Sequence, residues 1–126
     1  MLTILVVDDE KLERKGIRFL LNRRSEEMEI LEAANGKAAC EILQRRTVDI
    51  MLTDIKMPFM DGIELVSVAH KLQPDLEMVI FSGYGEFEYA KKAMASGVSN
   101  YVLKPVDPAE FENTLNHLVE KITERR

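Results

Sequence analysis

The residues able to do chemistry in this 126-residue chain are three acids, a hydroxyl and a lysine, set far apart in sequence. Asp8 and Asp9 follow the apolar run Leu2–Val7, Asp54 follows Val48–Thr53, Ser82 follows Met78–Phe81, and Lys104 follows Tyr101–Leu103. Each run reads as a β-strand, so each polar residue stands at a strand's C-terminal end. In a parallel sheet those ends share one edge, where open α/β sheets bind ligands. Three carboxylates brought together repel one another and need a cation. Hard oxygen donors, with positions left for water and phosphate, suit Mg²⁺. Three acids (Asp8, Asp9, Asp54) against one Lys104 leave a net charge of −2, which a divalent cation neutralises. A carboxylate among cations is a competent nucleophile toward phosphorus, and lysine binds phosphate as a point charge. The constellation describes a metal-assisted phosphoryl-transfer pocket.

Alone, each member has a plainer reading. Acids that open a helix are favoured by the macrodipole and by N-capping. Ser82-Gly83 makes an ordinary turn, and a lysine after a strand is usually solvated. Position changes this. Pro105 restricts Lys104 to extended geometry, which helps aim its ammonium inward. The hydroxyl of Ser82, beside a glycine, can approach a phosphate closely.

The elements that must position these residues alternate along the chain. Strands are expected at about 2–7, 29–33, 48–53, 78–82 and 100–104, as apolar runs covered on both faces. The helix at about 10–23 carries a stripe of Leu12, Gly16, Phe19 and Leu20, and that at about 36–46 one of Ala39, Ile42 and Leu43. A third helix opens at Asp61 with Glu64 as a capping box, presents Leu65, Val66, Ala69 and Leu72, and stops at Pro74. A short fourth, at about 86–96, ends at Gly97. The last, at about 108–124, has Pro108 in its first turn and Phe111, Leu115, Leu118 and Ile122 on one face. Strict alternation predicts an α/β fold: a doubly wound, five-stranded parallel sheet in a three-layer α/β/α sandwich. The flavodoxin-like order 2-1-3-4-5 puts its switch point between strands 1 and 3, which end in Asp8, Asp9 and Asp54.

Composition bounds the rest. The length suits a single domain, 1–126, with a core to about residue 122 and residues 123–126 as a tail or the start of a linker. A net charge of −5 argues against general attraction to nucleic acid or anionic membranes. One cysteine, Cys40, permits no internal disulfide and reads as a small buried hydrophobe. Without a signal-peptide pattern or a membrane-length apolar stretch, the expected location is the cytoplasm. His70 and His117 lack a second ligand at metal-binding spacing and read as structural or surface residues. Met57 and Met60 are expected to plug the loop after Asp54 onto the body, and Lys91 and Lys92 to face solvent.

Val6-Val7-Asp8-Asp9-Glu10, Asp54 with Met57-Pro58-Phe59-Met60-Asp61-Gly62, Ser82-Gly83-Tyr84 and Tyr101-Val102-Leu103-Lys104-Pro105 occur in that order. Over essentially its whole length the chain thereby resembles the receiver domain of two-component response regulators, with a CheY-like fold. The resemblance implies that Asp54 accepts a phosphoryl group from a sensor histidine kinase. It implies Mg²⁺ bound directly by Asp9, largely through water by Asp8, and by Asp54 and the Lys56 backbone carbonyl. Ser82 and Lys104 would hold the phosphoryl oxygens, Tyr101 would be the aromatic switch, and the bond before Pro105 would be cis. Lys56 and Tyr84 flank the acceptor where rates are tuned, and bulky Tyr84 is expected to hinder the attacking water.

The segment Ser82–Ala90, with Gly97–Tyr101, further resembles receivers fused to an AraC-type helix-turn-helix domain. Any contact with DNA would then be made by a domain outside this chain. The face built from the helix at 86–96, the strand at 100–104 and the last helix would dimerise or bind an effector. Other readings are a stand-alone receiver acting by protein contact, a receiver that binds without being phosphorylated, and an aspartyl-phosphate hydrolase. The hydrolase wants a second carboxylate two residues after the nucleophile, where this chain has Lys56, so self-modification rather than turnover enzymology is expected.

Overall fold

The apolar runs become the strands of one parallel sheet in a computed structural model that describes residues 1–83, 88, 91, 92, 95, 98 and 100–126. The strands are β1 (Leu2–Val7), β2 (Met28–Ala33), β3 (Ile50–Asp54), β4 (Glu77–Ser82) and β5 (Asn100–Leu103). Among the described residues the helices are α1 (Lys11–Asn22), α2 (Gly36–Arg45), α3 (Gly62–Leu72) and α4 (Pro108–Arg125). The sheet order is β2-β1-β3-β4-β5, all parallel, as the alternation predicts. The helix expected over 86–96 falls largely outside the described residues.

Alternate residues of each strand serve opposite layers. Leu5, Val7, Met51 and Ile80 pack with Ala39 and Leu43 of α2 and Leu65, Val66 and Ala69 of α3. Ile4, Val6, Leu52 and Phe81 pack with Leu21 of α1 and Phe111, Leu115, Leu118 and Ile122 of α4. Each fully buried side chain of this size contributes about 1.5–3 kcal/mol. Phe81 and Phe111 stack with ring centroids 6.3 Å apart, fixing α4 beneath the end of β4. Three of the described helices carry side-chain caps, Asp61 among them as the sequence predicts. Asn35 accepts from the Ala38 N–H, Asp61 from Glu64 and Asp107 from Ala109.

Four expectations are corrected. The α1 stripe is out of phase, with Leu12 80% and Phe19 66% exposed. The inward side instead runs from Glu13 through Ile17 and Leu20 to Leu21 and Arg24. Ion pairs set this rotation: Arg14 and Arg18 both reach Glu32 of β2, while Arg24 reaches Glu26 and Glu112 of α4. Leu72, expected on the core face of α3, is also largely exposed at the helix's last turn. Residues 123–126 are no free tail, because helix continues through Arg125 and its cations are engaged: Arg125 pairs with Glu77 and Arg126 with Asp49. β3 begins two residues later than the apolar run suggests. The buried Val48 gives its N–H to the side chain of Gln73 rather than to the sheet.

Candidate functional site

The sheet's C-terminal edge gathers Asp8, Asp54, Ser82 and Lys104, each placed by its strand. Asp8 continues the β1–β2 ladder by one bond, donating its N–H to the Ala33 carbonyl at 3.1 Å. Its carboxylate accepts from the Glu10 N–H at 2.9 Å and its carbonyl from Arg14 at 2.7 Å, which tie the turn into α1. Asp54 closes β3, its carboxylate accepting the Ile55 N–H at 2.9 Å. Beneath it, α3 begins so close that a Cβ on Gly62 would lie 2.5 Å from the Asp54 carbonyl oxygen. Lys104 extends the β4–β5 ladder through a 2.7 Å bond to the Ser82 carbonyl and precedes a cis peptide to Pro105, as the family resemblance implies.

The side chains converge. The Lys104 ammonium lies 3.0 Å from Asp54 Oδ1 and 2.8 Å from Glu13 Oε2. Carboxylate oxygens of Asp8, Glu13 and Asp54 lie within 4.8 Å of one another. Asp8 and Asp54 are buried. Burial therefore pushes the Asp8 carboxyl up to about 8, aided by its hydrogen bond to Glu13 and the charges of Asp54 and Glu13. Burial raises Asp54 as well, against the pull of Lys104. Glu13 is held below the usual range by its bonds to Asp8 and Lys104. Burial works against the charge of Lys104, but hydrogen bonds to Glu13 and Asp54 outweigh it and hold the ammonium firmly protonated. Ser82 Oγ is fully buried and has no hydrogen-bond partner among the described residues, an uncommon arrangement for a hydroxyl.

This donor set fits a hard divalent cation. Burial, with the neighbouring acids, raises the Asp8 carboxyl, so a bound cation would displace its proton, and all the donors are carboxylate oxygens. Glu13 is the member that sequence reasoning missed. Its signal was an acid in the first turn of a helix that starts at the reactive edge. Asp9 is exposed and stands outside this cluster, and Lys56, two residues past Asp54, is also exposed. Tyr101 is half-buried against the core on the α2–α3 side, and Tyr84 lies outside the described residues. Met57 and Met60 do plug their loop: Met57 is buried, and Met60 packs so tightly on Gly36 that a Cβ there would meet its sulfur at 2.7 Å. Cys40 is half-buried against the core, where burial raises its thiol, and both histidines are exposed. Beside the acids a cleft of about 510 Å³ opens between α1 and the Pro105–Val106 segment, walled by Gly16, Ile17 and Leu20.

Similarity to known proteins agrees with this geometry. Residues 4–116 match the response regulator receiver domain family. The transcriptional regulatory protein YesN of Bacillus subtilis is 35% identical over 97% of this chain, which covers 33% of YesN. A two-component transcriptional regulator AraC from Clostridium phytofermentans superposes with a TM-score of 0.87 at 38% identity, covering 98% of this chain and 97% of that one. A response regulator receiver domain protein from Clostridium thermocellum reaches a TM-score of 0.90 at 27% identity over 100% of both chains. The chain spans between a third and a half of the length of the curated relatives it matches. Among the described residues no helix is long and apolar enough to cross a membrane. Fold, strand-end residues and similarity converge, and the chain belongs to the response regulator receiver domain family.

Proposed function

We propose that this receiver is a phosphorylation-controlled switch in which Asp54 takes a phosphoryl group from a sensor histidine kinase. One observation carries the reading: a buried carboxylate at the end of β3 has an ammonium 3.0 Å away and two further acids beside it. The carboxylate oxygen of Asp54 forms a bond to phosphorus as the bond from phosphorus to the donor's imidazole nitrogen breaks, the electron pair leaving with the imidazole. Lys104 meets the charge that gathers on the phosphoryl oxygens. Mg²⁺, held by Asp54 and Asp8 and, on the family pattern, by Asp9 and the Lys56 carbonyl, would neutralise the acids and screen the incoming anion.

The unpartnered Ser82 hydroxyl is suited to donate to a phosphoryl oxygen, which satisfies a group that is otherwise stranded. Tyr101, on the neighbouring strand, would follow Ser82 inward and shift the face of β5 and α4 toward its active arrangement. Transcriptional control is the proposed output, exerted through a DNA-binding domain beyond this chain, because the similar full-length proteins are transcriptional regulators. The chain modifies itself rather than turning over a substrate, and it works in the cytoplasm.

Incubation with acetyl phosphate and Mg²⁺ followed by intact mass spectrometry tests the reading. Wild type should gain one phosphoryl group and Asp54→Ala none. Equal gain by both, or no gain by wild type, rejects it.

A further inference from the structure

We infer that Glu13 is a positioning residue for Lys104, holding its ammonium at the acceptor oxygen of Asp54. The inference rests on the phosphoacceptor reading and adds a residue that neither the strand-end pattern nor the family motifs assign. Lys104 is a flexible four-carbon stem on the last exposed step of the β5 edge, and its ammonium has three donors. One goes to Glu13 at 2.8 Å and one to Asp54 at 3.0 Å, which leaves the third for a phosphoryl oxygen.

The two anchors differ in what happens when Asp54 reacts. Once Asp54 is phosphorylated to the acyl phosphate its carboxylate charge is gone, and the negative charge sits on the phosphoryl oxygens. Glu13 keeps its charge throughout. It also belongs to α1, whose rotation is locked by the Arg14, Arg18 and Arg24 ion pairs and does not depend on β5. Glu13 therefore keeps Lys104 in place before and after transfer, while its remaining donors turn to the phosphoryl group.

Fluoroberyllate, a phosphoryl mimic, titrated calorimetrically into full-chain protein at saturating Mg²⁺, reads this directly. Glu13→Ala should weaken binding about threefold to fivefold, in keeping with a partly exposed ion pair. Glu13→Gln should recover most of the loss, since its amide oxygen still accepts from the ammonium. Lys104→Ala should weaken binding more, and Glu13→Ala should cost nothing further in that background. The Lys104 ammonium proton signal, slowed in exchange by its two partners, should be seen by NMR in wild type and lost in Glu13→Ala. Equal losses from Glu13→Ala with and without Lys104, or no loss at all, would overturn the positioning role alone. Wild type that binds no fluoroberyllate would overturn the acceptor reading and this inference with it.

Discussion

The two edges of the sheet both carry buried acids, and only at one do the acids outnumber the cations that face them. At the N-terminal edge, Glu77 opens β4 and is 5% exposed, yet Lys121 and Arg125 of α4 both reach it, at 3.1 and 2.8 Å. Asp49, just before β3, accepts from the Thr3 N–H and pairs with Arg126. At the C-terminal edge Glu13 and Asp54 share the ammonium of Lys104, while Asp8, buried beside them, has no ion-pair partner among the described residues and its carboxyl is pushed up. Buried charge is tolerable when it is paired and costly when it is not. The first edge is built to hold α4 against the sheet; the second, on the proposed reading, would be completed by a cation and a phosphoryl group.

Removing an acid should therefore have opposite effects at the two edges. Glu77→Ala takes the shared partner from Lys121 and Arg125 and should lower unfolding free energy by about 2–3 kcal/mol. That is the lower end for a buried pair, because the stranded cations are half-exposed and can hydrate. Urea unfolding measures it, and a loss under about 0.5 kcal/mol would mean that the N-terminal edge is not a clamp.

Gly62→Ala probes how rigidly the reactive edge is held. The new methyl would meet the Asp54 carbonyl oxygen at 2.5 Å and Ile55 Cα at 2.8 Å, both backbone atoms that cannot swing away. A cost of about 2 kcal/mol is expected from overpacking, with slower acetyl-phosphate labelling as Asp54 is displaced. Unchanged stability together with unchanged labelling would show that the strand end gives way freely.

How much of this contrast the sequence discloses depends on the element. Strand ends were legible because a parallel sheet fixes their common edge, so Asp8, Asp54, Ser82 and Lys104 could be grouped without coordinates. The core faces of α2 and α4 were legible because each has one apolar stripe. α1 has two overlapping stripes, Leu12–Phe19 and Ile17–Leu20–Leu21, and periodicity cannot choose between them. Ion pairs from Arg14, Arg18 and Arg24 decide the rotation, and these are long-range contacts that no local window contains. Misreading the stripe and missing Glu13 are thus one error, since Glu13 heads the face that turns inward. The opposing N-terminal clamp was missed for the same reason: Glu77 and Arg125 are 48 residues apart.

Asp8→Asn makes the contrast depend on pH. The native carboxyl sits at about 8, above the unfolded value, so the native state binds more protons between the two and metal-free stability falls as pH rises through that window. The neutral amide removes this loss. At about pH 8.5 without Mg²⁺ the variant should be more stable than wild type by about 1–2 kcal/mol, and below about pH 4 the two should converge. Mg²⁺ should invert the order at high pH, because only wild type offers the carboxylate, and near pH 6, where the Asp8 carboxyl still holds its proton, metal binding should release about one proton. Calorimetry in buffers of different ionisation enthalpy counts that proton. A difference in stability that is the same at both pH values would remove the crowding argument.

Gly16→Ala is the smallest change, and it separates helix stability from the cleft beside the acids. Glycine inside a helix costs about 0.5–1 kcal/mol relative to alanine. Nothing lies within 4 Å of a Cβ at this position, so packing gives no reason for a glycine there. The variant should gain roughly 0.5–1 kcal/mol in urea unfolding. Gly16 walls the cleft that ends on Asp8, Glu13 and Lys104, so a methyl there narrows the space next to the reactive edge while leaving the N-terminal clamp untouched. If that space admits the phosphodonor, the more stable variant should label more slowly with a histidine-phosphorylated donor and at the wild-type rate with the much smaller acetyl phosphate. Equal rates with both donors would leave the glycine as a cost in stability with no return at the site.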